Sequence, residues 1–325
     1  MSFGTRPAPM NVAFERPSIL QRIVPIFTGF DGPLMLAILL LAAAGLVTMY
    51  SAGFDSGTRF VDHGRNMMLA LAVLFIVSQV PPQKLQQLAV PLYVAGVVLL
   101  VITALPGVGI TKKGATRWLS IGVTQIQPSE ILKIAMPLML AWWFQKREGQ
   151  LRVADFVIAA LLLLVPVALV AKQPDLGTAT LIMASGFFVL FLAGLPWKVM
   201  ITGAVAFGAS LPFVWNMLHD YQRKRVLVFL DPESDPLGSG YHITQSKIAI
   251  GSGGLFGKGF GNGSQSHLDY LPESHTDFAF ATMAEEWGLL GGLFVLAVFM
   301  WTFRWGLQVA RNAPDRFSML LAAGE

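Results

Sequence analysis

Long apolar runs separated by short polar breaks constrain this chain more than any other feature. They lie near residues 33–52, 66–80, 86–105, 130–145, 154–171, 176–194, 198–218 and 278–303. About 20 apolar residues in a helix cross the hydrocarbon of a bilayer. Water is absent there, so each backbone N–H and C=O must be paired within the segment, which a helix does and an isolated strand does not. The predicted fold is an all-α, polytopic transmembrane helical bundle with about eight spans. Composition agrees, with 54% hydrophobic and only 13% charged residues, outside the range of soluble domains. The first run is too long for a signal-peptide core and lacks a convincing cleavage site, so it is expected to be retained.

Residues 1–30 read as a cytoplasmic N-terminal leader, and residues 31–325 as the transmembrane domain. Basic clusters at 146–152 and 304–311 flank the ends of spans, and short basic flanks stay on the cytoplasmic side. The N-terminus is therefore expected inside, and two long connections, near 106–128 and 219–275, outside. The second is a large extracytoplasmic loop before the eighth span, rich enough in aromatic residues to pack on the membrane face. A net charge of +4 is too small and scattered for a nucleic-acid surface, so anionic membrane lipids are the more natural partners. No cysteine is present, which excludes disulfides and thiolate chemistry. No two of the five histidines have a helical ligand spacing, and no histidine metal site is expected.

Three polar constellations stand at predicted outer ends of spans. In "TKKGATRWLSIGVTQIQPSEILK", Pro128 is a natural helix-start residue. Glu130 and Lys133 then fall at i, i+3 on one helix face. Such charges are expected to neutralise one another and to face the bundle, as a structural pair or as part of a functional site. Lys113, Arg117 and Trp118 precede them, donors for phosphate oxygens beside a ring suited to the interface, or simple interfacial anchors. In "AKQPDLGTAT", Lys172, Gln173 and Asp175 crowd a short connection. Asp175 is either functional or a favourable first-turn acid.

The third constellation is "LPESHTDFAFATMAEEWG". Ser274 and Asp277 fit a capping box, which would make Asp277 structural. Glu285 lies eight residues on, about 12 Å deeper and within about 80° on a continuous helix, and one cap does not require a second acid below it. Carboxylates within a span are functional candidates, as bases or as partners of a buried cation such as Lys133. The run "GSGGLFGKGFGNGSQS" fails the phosphate-loop pattern, since Ser252 stands six residues before Lys258 and Gly259 follows it. It reads as a flexible outer loop.

"KGATRWLSIG", "QPSEILK", "KQPDLGTA", "GSGGLFGKGFGNGSQS" and "LPESHTDFAFATMAEEWG" resemble, in order and spacing, the SEDS family (shape, elongation, division and sporulation) from about residue 31 onward. The resemblance implies ten spans, so a further helix pair is expected beyond the eight counted here, and the chain is expected to be C-terminally truncated. It also implies peptidoglycan glycosyltransfer: lipid II is polymerised into glycan strands outside the bacterial inner membrane, undecaprenyl pyrophosphate leaves, and cell elongation and rod shape depend on it. Asp277 matches the family's essential aspartate and is the expected catalytic base. Lys113, Arg117, Trp118, Gln127, Ser129, Lys172, Asp175, Glu273 and Thr276 are the expected substrate-binding residues, and Glu130, Lys133 and Glu285 a supporting ion network. Implied partners are lipid II, a class B penicillin-binding protein transpeptidase, other elongation-complex proteins and membrane lipids.

Two other classes remain in view. A transporter (flippase) of lipid-linked sugars would use the same charges in transit, and it calls for repeat symmetry and midplane charges, neither of which the sequence displays. A non-enzymatic scaffold would leave the carboxylates without a purpose. No protein metal site is expected, although Asp and Glu leave open a divalent cation, Mg or Mn, held together with the substrate's phosphates.

Overall fold

The computed structural model describes residues 29–324, except 54–56, 106, 113–114, 123, 174, 219, 236–237, 269 and 272–273. The expected leader lies almost wholly outside the described residues. Helices α1 (Gly32–Ala52), α2 (Gly57–Ser78) and α3 (Pro82–Ala104) lead into three short strands, β1 (Ile110–Lys112), β2 (Ala115–Ile121) and β3 (Thr124–Ile126). Helices α4 (Pro128–Gln145), α5 (Val153–Lys172), α6 (Leu176–Leu192) and α7 (Trp197–Met217) follow, then α8 (Asp220–Leu230), a short 3₁₀ turn, α9 (Ser239–Ser252) and α10 (Ser264–His267). The described chain ends with α11 (Ala279–Arg311) and α12 (Arg316–Gly324).

Each of the eight expected stretches lies largely on a helix of this bundle. Six helices among the described residues, α1, α2, α3, α5, α7 and α11, are long and apolar enough to cross a membrane, while α6 has 17 residues. The chain is a multi-pass membrane protein. Helix α4 is the hub. It begins with Pro128 in its first turn, where the missing N–H loses no hydrogen bond. Leu132, Met136, Leu140 and Phe144 are then buried among Leu100 of α3, Phe156 and Leu163 of α5, Ile182 of α6 and Phe317 of α12. A second contact joins α1 to α11 through Ala44, Met283 and Val295. Asp31 holds its far end, accepting from Leu34 N at 3.0 Å as the α1 cap and from Trp305 Nε1 at 2.6 Å. By contrast, no residue of α7 is buried, so its apolar surface is left for lipid or a partner.

Two features depart from the all-α expectation with flexible outer loops. Strands β1, β2 and β3 form an antiparallel meander, β1 pairing with β2 and β2 with β3, each too short for its period-2 pattern to stand out beside the spans. The glycine-rich run is the second. Lys258 N donates to Glu285 O and Gly259 N to Glu286 O, both at 3.0 Å, while Leu289 N and Leu290 N donate to Gly254 O and Leu255 O at 2.9 and 3.2 Å. The run is thus bonded along α11 rather than loose.

Those bonds exist because α11 breaks at Gly288 (φ 69°, ψ −165°). A break within a span frees backbone groups that must find partners inside the protein, and residues 254–259 supply them. A side chain at Gly288 would overlap Gly257 N and Leu255 O, and one at Gly257 (φ 80°) would overlap Glu286 O. Both positions therefore need glycine for conformation and for space.

Candidate active site

The first two constellations meet in one polar cluster. Strand β2 packs across α3 and α4 and brings Arg117 over the start of α6. Its Nη1 lies 3.4 Å from Asp175 Oδ2, and its Nε donates to Gln173 O at 3.2 Å. Gln127 Nε2 donates both to Asp175 Oδ2 at 3.1 Å and to Ser129 Oγ at 3.0 Å. Asp175 is also the N-cap of α6, accepting from Thr178 N at 3.3 Å. The expected first-turn acid is therefore an N-cap, and the same carboxylate also carries an arginine. Gln173, buried, anchors the cluster by donating to Leu100 O at 3.1 Å. Trp118 is half-buried beside Arg117 on β2.

Other expected members stand apart. Lys172 is exposed at the end of α5. Lys113 and Glu273 lie outside the described residues. Glu130 and Lys133 do form an ion pair, at 2.8 Å, but their side chains are 54% and 36% exposed. The expectation that they face the bundle interior is therefore corrected: the first turn of α4 leaves this face uncovered.

Asp277 is exposed in the turn before α11. The helix starts at Ala279, and its N-cap residue is Phe278, with no side-chain cap bond. The capping-box reading of Ser274 and Asp277 fails because the helix begins too late for it. For the same reason the facing relation of Asp277 to Glu285, which assumed a continuous helix, does not apply. Thr276, exposed, and His275 lie at one end of a groove of about 520 Å³ that runs between α1 and α11, with His63 of α2 also lining it. Its walls are otherwise mostly apolar, including Leu41, Met283 and Phe299. Position along α1 and α11 puts the histidines and Thr276 at one end of the groove and Leu41 and Phe299 at the other.

A family model describing cell cycle proteins, named for FtsW, RodA and SpoVE, matches residues 33–325. The chain belongs to the FtsW/RodA/SpoVE family. It is 46% identical over 295 residues to the peptidoglycan glycosyltransferase MrdB of Escherichia coli (strain K12), covering 90% of this chain and 79% of that one. It is 35% identical over 310 residues to a probable peptidoglycan glycosyltransferase FtsW of Trichlorobacter lovleyi, covering 91% and 80%. Among solved structures, a chain of a peptidoglycan synthase complex matches with TM-score 0.76 and 31% identity over 91% of this chain and 82% of that one. The rod shape determining protein RodA of Thermus thermophilus matches with TM-score 0.66 and 28% identity, covering 92% and 81%.

In this FtsW/RodA/SpoVE protein Glu285 does not join Glu130 and Lys133. It is fully buried, and its Oε1 accepts from Lys258 Nζ at 2.5 Å and Ser264 Oγ at 3.0 Å, with Gln265 N donating to Oε2 at 3.1 Å. The three residues expected to form one ion network are therefore split between two separate ion pairs, Glu130–Lys133 and Lys258–Glu285. Glu286, also buried, accepts from Ser51 Oγ at 2.5 Å and lies 3.5 Å from His267 Nε2. Lys258, Ser264, Gln265, Ser51 and His267 escaped the sequence reading. Only the acids signalled the need for partners, and the partners come from α1 and from a run whose glycines read as flexibility. Among the described residues no group of three or more His, Asp or Glu is placed to hold a metal ion.

Proposed function

We propose that this protein polymerises lipid II into glycan strands on the extracytoplasmic side of the inner membrane and releases undecaprenyl pyrophosphate, in cell elongation and rod-shape maintenance. The observation that carries the reading is Asp277, exposed, not a helix cap, and next to Thr276 at the end of a mostly apolar groove that the proposed orientation turns outward. A substrate with a polyprenyl tail, a pyrophosphate and a sugar needs that order of environments: hydrocarbon, donors, then water and a base. The similarity to MrdB supports the same activity.

In this reading Asp277 takes the proton from the acceptor sugar's 4-hydroxyl as that oxygen attacks the anomeric carbon of the donor. The bond between that carbon and the pyrophosphate oxygen breaks, and the pyrophosphate leaves with the bonding pair. Arg117, held by Asp175 and Gln173, and Lys113 stabilise the charge that develops on it. Trp118, Gln127, Ser129, Lys172, Glu273 and Thr276 contribute to binding the head group. A class B penicillin-binding protein transpeptidase and other elongation-complex proteins are the proposed partners. The likeness to a chain of a peptidoglycan synthase complex supports the first. The proposed orientation has the N-terminus in the cytoplasm.

The break in α11 is the one observation that favours a transporter, since transporters build midplane sites from discontinuous helices. Four of its backbone groups are bonded to residues 254–259, so these are not available to a passing substrate. Purified protein supplied with lipid II is expected to yield glycan strands. Transfer of lipid II across vesicles without polymer would overturn the reading.

A further inference from the structure

The two buried acids of α11 are not accounted for by substrate chemistry, since Glu285 and Glu286 are 0% and 2% exposed. What they hold is one short helix. Glu285 grips the start of α10 through Ser264 Oγ and Gln265 N, and Glu286 faces its end at His267 while accepting from Ser51 of α1. The chain from α10 back to α11 is tied at two more points. Leu271 N donates to Gln265 O at 2.9 Å, and Thr282 Oγ1 to Ser274 O at 3.3 Å. Leu271 is buried with Ala249 of α9 and Ala281 of α11, and Phe278 packs against them. Asp277 lies between Ser264 and Glu285, the two points that meet at the Glu285 carboxylate, in the turn next to these ties.

We infer that Glu285, with Lys258 and Ser264, and Glu286, with Ser51 and His267, are positioning residues that set the place of Asp277 without touching substrate. A fully buried carboxylate is retained only with close, hydrogen-bonded partners, so the clasp has one low-energy arrangement. Any group that loosens it lets the turn 274–278 drift. Lys258 works here as a strut: its ammonium joins Glu285 to Ser264, which it reaches at 2.7 Å. This makes the glycine-rich run part of the site's frame. The inference rests on the proposed polymerase activity and on Asp277 as its base.

The test is steady-state polymerisation of lipid II by the purified full chain, with thermal unfolding followed in parallel. The parent polymerising and Asp277→Asn failing to do so establish the reading on which the inference depends; their failure sinks that reading, whatever the clasp does. Given both, Glu285→Gln, which keeps the shape but removes the charge, is expected to lower kcat about tenfold or more with KM for lipid II nearly unchanged, as misplacement of a reacting group does. Ser264→Ala should lower kcat by about threefold with only a small fall in the unfolding midpoint and full folding at the assay temperature, and it decides the matter by the same split if Glu285→Gln does not fold. Lys258→Arg should recover much of the kcat that Lys258→Met loses. A rise in KM at constant kcat would make these substrate-contact residues and overturn the inference. So would parental kcat in Ser264→Ala and Glu285→Gln, or losses that merely follow the fraction of folded protein.

Discussion

Arg117 Nη1 stands 3.4 Å from Asp175 Oδ2, joining the middle strand of the meander to the N-cap of the apolar helix α6. With side-chain exposures of 28% and 11%, the pair is neither a surface ornament nor a sealed core bridge. In the proposed mechanism this arginine meets the departing pyrophosphate.

Arg117→Lys is therefore expected to reduce polymerisation while insertion and folding stay normal. Lysine retains the charge but not the planar fork that grips both an aspartate and phosphate oxygens. Polymer yield and lipid II binding, measured on the same preparation, check this. Full activity with unaltered binding would leave Arg117 an interfacial anchor.

Asp277→Asn should abolish glycan formation and leave unfolding stability within about 1 kcal/mol of the parent, because the side chain is exposed and caps no helix. Asp277→Glu should also be slow, since a displacement of about 1 Å can reduce rate on the order of a hundredfold. Parental rates in the asparagine variant would move the search for the base to Asp175.

Gly288→Ala should destabilise the protein by about 1–3 kcal/mol or more, since it combines a left-handed residue with overlap on the backbone of residues 255–257. Gly306→Ala lies in the same helix with open space around it, and is expected to be neutral or stabilising by about 0.5–1 kcal/mol. Thermal unfolding of the two variants side by side makes the comparison. Equal midpoints would show that the break does not need glycine.

Because Glu130 and Lys133 are half-exposed, single neutral substitutions should change stability by no more than about 1 kcal/mol, as for other exposed pairs. The charge-swapped double variant should stay near the parent. A loss of activity at normal stability would instead place this pair in contact with substrate. Folded yield and polymerisation, assayed separately, distinguish the outcomes.

Much of the site was legible because the motifs are local. Pro128 opening α4 and Asp175 opening α6 follow from chain-local rules about helix starts. The meander at 110–126 was not legible, since three strands of 3 to 7 residues bury little and leave a weak alternation. The alternative reading of Asp277 as a helix cap fails for a related reason. Its spacing from Ser274 suits a helix starting near 275, whereas the helix starts at Ala279, with Phe278 before it packed against the cluster of Ala249, Leu271 and Ala281.

By itself the sequence determined that this chain is a bundle of apolar helices and where the long apolar ones lie, though not the three shorter helices between 220 and 267, because crossing hydrocarbon demands about 20 apolar residues with every backbone bond made inside the segment. It also marked the buried acids, since charge in such a run is too costly to be incidental. Only the tertiary structure decided which groups those acids hold. Glu285 could have met Lys133, yet it meets Lys258, because Gly253, Gly257 and Gly288 let two backbones approach closely enough to insert the glycine-rich run beside a broken helix. Such pairing depends on the relative placement of segments 27 residues apart, which no local pattern of residues encodes.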